Sequence, residues 1–158
     1  MKNLPLYLHQ KYWDLIYYSF RKKYKLPKDF RFTGTGTIFY GEGAIDISKN
    51  SYVGRNCYFQ AKKGFRIDIG KKVSISHNVY IYTSNKITGQ DFSIGDLSKK
   101  CGNVSIGAYT WIGAFVFIKE GVTIGENSVI GAHSVVTKDI PPNCIAVGNP
   151  CRVIKNKS

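Results

Sequence analysis

Carboxylates are scarce in this chain of 158 residues: 10 Asp and Glu stand against 23 Lys and Arg, a formal net charge of +13. That excess favours an anionic partner, whether a phosphorylated ligand, nucleic acid or an acidic membrane face. Lysines that only keep an apolar fold soluble would give the same count. Long apolar runs are also missing. None approaches the ~18 residues that a bilayer crossing requires. Histidine is limited to His9, His77 and His133, and cysteine to positions 57, 101, 144 and 151. No two cysteines have CxxC spacing and no signal-peptide pattern comes before them, so a thiol metal knuckle and a secreted disulfide framework are not indicated. Free thiols in a reducing cytoplasm are the expectation.

What is present is regular. A hydrophobic content of 43% with 14% aromatics is too apolar for a disordered chain, and the length suits one domain with a core. From Ile106 the chain reads in sixes, "IGAYTW", "IGAFVF", "IKEGVT", "IGENSV", "IGAHSV" and "VTKDIP", each opened by Ile or Val. Blocks of the same kind begin at Ile47, Val53, Ile69, Ile75 and Ile81. Before Ile47 the pattern fades, with Phe39 and Ile45 in the fifth place of two sixes that lack an aliphatic opener. A period of six suits short strands separated by turns and lacks the spacing of three and four that an α-helix needs. Three strands per turn would give a prism of about 18 residues per coil, each coil stacked on the next at ~4.8 Å and burying its neighbour's core.

These blocks, with the stretch "VTIGENSVIGAHSVVTKDIPPNCIAVGNPCRVIK", resemble the hexapeptide-repeat acyltransferases, in particular the maltose, galactoside and polysaccharide O-acetyltransferase branch. The resemblance covers roughly residues 35–155. It implies an all-β fold, a left-handed parallel β-helix over residues 35–158, interrupted by a protruding loop at 87–105. The hand comes from the resemblance alone, because the general crossover rule predicts the opposite one. Residues 1–34 form a separate N-terminal helical segment in this reading, with Leu8, Tyr12, Ile16 and Phe20 four apart. Packing against the prism or a subunit contact is the plainer role for it. A basic, peripheral contact with the inner membrane face is the sharper one.

The resemblance further implies a homotrimer with sites between subunits, acetyl-coenzyme A as donor, a sugar or glycan hydroxyl as acceptor, and no metal. Matching the family's motif, Thr137, Lys138, Arg152 and Lys155 would meet the donor's phosphates, since phosphate needs cations. Ala114, Gly131 and Ala132 would let its extended arm approach the backbone. Trp111 resembles the aromatic residue beside the acceptor. In this branch a histidine at the departure of the loop deprotonates the acceptor hydroxyl, a task suited to a neutral imidazole. Aligned through "NVYIYTSN", that position is Lys86, and lysine, with an ordinary pKa of ~10.4, is a poor base unless desolvated or placed near other cations. The acceptor-contacting asparagine falls on Gln60. His77, in "ISHNVY", resembles the base-bearing blocks of nucleotide-sugar and lipid A acyltransferases, and Asp91 or Asp96, on the loop of this or a neighbouring subunit, could orient it. The implied chemistry is direct transfer with no cysteine intermediate.

Other functions fit less well. A catalytically impaired relative that binds acyl-coenzyme A or glycan, its loop histidine replaced by Lys86, stays open. A zinc carbonic anhydrase would need three converging histidines, and His77 and His133 fall two coils apart. No nucleic-acid-binding motif accompanies the dispersed charge.

Overall fold

The computed structural model describes residues 4–93, 95 and 97–157. Short parallel strands wind around three faces. The first face carries Arg31–Phe32, Tyr52–Val53, Ser74–Ile75, Trp111–Ile112, Val129–Ile130 and Cys144–Val147 in that order. The second carries Ile38–Tyr40, Tyr58–Gln60, Tyr80–Tyr82, Phe117–Ile118 and Val135–Val136. Ala44–Ile47, Arg66–Ile69, Val104–Ile106 and Thr123–Ile124 make the third.

The openers of the sixes stack in register. Val53, Ile75, Ile112 and Ile130 form one column. Phe59, Ile81, Ile118 and Val136 form the second, and Ile47, Ile69, Ile106 and Ile124 the third. Every one of them is buried, and full burial of such a side chain stabilises by about 1.5–3 kcal/mol. The alternation of buried and exposed residues along each short strand follows from the period-two pleat.

The first coil starts earlier than residue 35. Phe32 pairs with Val53 and Phe39 with Phe59, so aromatic residues hold the opener columns there. Phe39 therefore stands in the opener's place and not in a fifth place; the period persists while the residue type changes.

The helix Leu4–Lys23 closes this end of the prism. Tyr17 stacks on Phe32 at 3.9 Å and Phe20 on Phe39 at 5.4 Å. The Tyr17 hydroxyl donates to the Gly34 carbonyl (2.8 Å) and accepts from the Thr37 amide (3.2 Å). The packed side of the helix thus runs through Trp13, Tyr17, Phe20 and Tyr24. Leu8 and Tyr12, expected on it, are 57% and 59% exposed. At the other end Arg152–Asn156 turns back antiparallel on Cys144–Val147.

The period breaks after Tyr82 into a β-hairpin. Ser84–Lys86 pairs antiparallel with Lys99–Cys101, Lys86 opposite Lys99. Val104 and Ser105 are already back on the third face, beside Ile67 and Asp68. The excursion expected over 87–105 therefore includes one strand of the stem and two residues of the coil.

Candidate functional site

Turns between faces place the candidate residues on two corners of the prism. The corner between the first and second faces carries His77, Ala114, Gly131 and Ala132. The corner between the second and third faces carries Gln60, the hairpin root with Lys86, Lys119, Glu120, Thr137 and Lys138. Lys86 and Lys138 belong to rungs two apart, since Ile81 pairs with Ile118 and Ile118 with Val136; by strand spacing that is ~9.6 Å.

On the first corner His77 is exposed, in a turn where Asn78 takes a positive φ of 57°. Its Nδ1 accepts the Arg55 amide at 3.1 Å. A neutral imidazole has one lone pair for this purpose, so the ring proton resides on Nε2 and Nδ1 is the basic atom. Trp111, on the adjoining face and 53% exposed, donates from Nε1 to Ser76 Oγ at 3.2 Å. Phe115 and His133, both with φ of 59°, stack at 4.8 Å, which gives His133 a packing role.

The backbone at this corner is largely engaged by the coil itself. The Ala114 carbonyl accepts from the His133 amide (2.9 Å), and the Gly131 amide donates to the Ala146 carbonyl (2.9 Å). A Cβ on Gly131 would sit 2.6 Å from Val147 Cγ1, so any side chain there would push Val147 out of its place between the coils. Ala132 is exposed.

The second corner is more polar. Gln60 Nε2 donates to Ser84 Oγ at 2.9 Å, which ties Gln60 to the hairpin root. Asn85 Nδ2 donates to Glu120 Oε2 at 2.5 Å. Glu120 is only 4% exposed; its Oε1 lies 3.3 Å from Lys119 Nζ without a hydrogen bond of good geometry. Glu120 was not legible as a site residue: in "IKEG" it reads as half of a solvated Lys-Glu pair. Above it a cavity of about 550 Å³ is lined by residues that include Lys86, Phe92, Lys100, Phe117 and Lys119. The Lys86 ammonium lies over the Phe92 ring, 5.8 Å from its centre. Thr137 and Lys138 are exposed farther up the same edge.

Arg152 and Lys155 lie elsewhere, on the exposed terminal strand of the first face. Within its own loop, Asp91 Oδ1 accepts from the Ser93 amide (2.9 Å) and Oγ (2.8 Å), and these bonds hold its carboxyl below the usual carboxylate range. Asp96 lies outside the described residues. Among the cysteines, burial pushes the Cys57 thiol up to about 11 and that of Cys151 upward, so neither is a thiolate nucleophile near neutrality. The described residues gather no group of three His, Cys, Asp or Glu fit for a metal ion, and include no helix long and apolar enough to cross a membrane.

The family model for bacterial transferase hexapeptide (six repeats) matches residues 103–138. The chain is 43% identical over 120 residues to galactoside O-acetyltransferase of Escherichia coli K12, spanning 70% of this chain and 56% of that protein. It spans about half the length of the curated relatives it matches. The solved structure of a maltose O-acetyltransferase from Clostridium difficile 630 is similar with a TM-score of 0.65 and 32% identity, over 96% of this chain and 89% of that one. A hexapeptide-repeat acetyltransferase from Vibrio cholerae gives a TM-score of 0.70 and 26% identity, over 89% and 79% of the two chains. Together with the three-faced parallel coil, these neighbours identify the fold as a left-handed parallel β-helix.

Proposed function

This chain belongs to the hexapeptide-repeat acetyltransferase superfamily, and we propose that it carries an acetyl group from acetyl-coenzyme A to a hydroxyl of a sugar or glycan. The observation that supports this most is the second corner, where the donor-type residues Thr137 and Lys138 and the acceptor-side Lys86 share one edge within two rungs. Such a length suits an extended donor arm with its phosphates at the Lys138 end and its thioester at the hairpin.

His77 and Trp111 face the first corner, so in this reading the site is completed between copies of the chain in a trimer. His77 takes the hydroxyl proton at Nδ1, the acceptor replacing the Arg55 amide as donor to that lone pair. The hydroxyl oxygen forms the new ester bond, the carbon–sulfur bond breaks, and the proton leaves with the thiol. His77→Ala should then abolish coenzyme A release with a sugar panel while leaving its affinity intact by calorimetry; unchanged turnover would remove His77 from this role.

A second reading is favoured by that same hydrogen bond. If the Arg55 contact holds Nδ1 permanently, the protein binds the donor and a glycan without transfer. Cofactor binding with no thiol release from any acceptor selects it.

The outward side of the N-terminal helix supports a contact with an anionic bilayer. It presents Leu4, Leu8, Tyr12, Leu15 and Tyr18, each more than half exposed, beside Lys11 and Lys22. Asp14 is the helix's one carboxylate and bonds to Gln10.

A further inference from the structure

We infer that the cavity at the hairpin root selects an acidic acceptor: a sugar that bears a carboxylate or phosphate group. The inference rests on the transfer reading for the word acceptor, but the anion site stands on the cavity itself. Lys86, Lys100 and Lys119 all line it, and among the described residues no carboxylate does. Lys86 also faces Lys99 directly across the ladder. Like charges in that relation repel and destabilise a hairpin.

Among the described residues, no carboxylate forms an ion pair with Lys86 or Lys99. Glu120, bonded to the cavity residue Asn85, is 4% exposed. One of its oxygens is taken by Asn85 and the other is near Lys119 alone. Asp91, at the loop tip, is bound to Ser93. Among the described residues, Lys86 and Lys100 therefore have an open demand for negative charge, while Lys119 is already paired with Glu120; a bound anion would meet that demand with charge-assisted hydrogen bonds.

The remaining walls say what else the ligand carries. Phe92, Phe117 and Ile87 give the cavity apolar surface, suited to the C–H face of a sugar ring. A small inorganic anion would leave that surface wet. An anionic sugar uses both parts. Lys86 then anchors the substrate where the family's pattern has a base, which makes its replacement of histidine a change of specificity.

The test is calorimetry of the full chain with trigalacturonate, glucose 1-phosphate and maltotriose as probes, at low and raised salt. At low salt at least one of the two acids should bind at least tenfold more tightly than maltotriose, and added salt should shrink the difference. Lys86→Gln with Lys100→Gln should remove that advantage and leave coenzyme A affinity within about twofold. The inference is overturned if neither acid outbinds maltotriose, or if the preference survives in the double variant. It is overturned equally if the double variant weakens coenzyme A as much as the acids, which would assign the lysines to the donor's phosphates. Failure of the transfer reading is seen separately: tight acid binding without thiol release keeps the anion site and removes the enzyme.

Discussion

Removing the Glu120 carboxylate should loosen the hairpin root without unfolding the prism. In Glu120→Ala the Asn85 side chain loses its 2.5 Å acceptor. Hydrogen bonds to charged groups contribute about 1.5–3 kcal/mol, and this one is sheltered, the Glu120 side chain being 1% exposed. At about 1.4 kcal/mol per decade, opening of the stem should become roughly 10- to 100-fold more frequent. The global effect is smaller, because the substitution also removes a buried charge whose desolvation is offset only by Lys119 at 3.3 Å. Amide hydrogen exchange separates the two. The Ile87 amide, bonded to the Ser98 carbonyl at 3.1 Å, and the Gly102 amide, bonded to the Thr83 carbonyl at 3.0 Å, should exchange faster. The Gly107 amide, bonded across the third face to Ile124 at 2.7 Å, should not. Glu120→Gln keeps an acceptor oxygen and should restore most of the protection. Unchanged exchange at Ile87 in the alanine variant, or a glutamine variant as loose as alanine, would show that this bond does not hold the root.

Three other outcomes follow from separate parts of the molecule. Lys138→Ala and Arg152→Ala should each weaken coenzyme A binding by about 1–3 kcal/mol in calorimetry, the range for a lost charged hydrogen bond; equal affinity would detach them from the donor. Cys57 is raised by burial from its ordinary 9.0 to about 11, so above pH 9 the unfolded chain loses a proton that the folded chain keeps. Stability should therefore fall between pH 9 and 11, by no more than about 3 kcal/mol from this group, and Cys57→Ser should flatten that part of a denaturation–pH curve. Leu8→Glu with Leu15→Glu, on the exposed side of the helix, should abolish sedimentation with phosphatidylglycerol vesicles and leave the thermal midpoint unchanged. A wild-type chain that stays in the supernatant refutes the bilayer contact.

The sequence carried the prism openly because its cause is local: one aliphatic residue in six is a column once the coils stack. The same locality explains the misses. Phe32 and Phe39 continue the columns with aromatic rings, since at this end they must also receive Tyr17 and Phe20 from the helix. An aliphatic template cannot see that demand. The stripe Leu8, Tyr12, Ile16, Phe20 is a valid helical face, but a face at spacing four can point either way. Contacts of Tyr17 with Gly34 and Thr37, 17 and 20 residues away, decide the matter, and they lie beyond any helical window. Lys86, expected just ahead of the loop, ends the first strand of the hairpin stem opposite Lys99. Glu120 was invisible because its partner, Asn85, is 35 residues away.

The donor-side candidates are themselves divided, with Ala114, Gly131 and Ala132 on the first corner, Thr137 and Lys138 on the second, and Arg152 and Lys155 on the terminal strand. Thr137 and Lys138 are set by the repeat itself, so their rung and edge follow from counting sixes. His77 and Lys86 are set by opposite ends of a second-face strand, Tyr80–Tyr82. Nine residues separate them, and an extended strand advances about 3.3 Å per residue. One prism thus presents them at different corners. In the transfer reading proposed above, a ligand that meets both lies between two prisms, with the first corner of one copy against the second corner of the next. Residues that act across such a boundary have no sequence spacing in common. For that reason the charge of the cavity, which belongs to one copy alone, says more about the acceptor than any motif does.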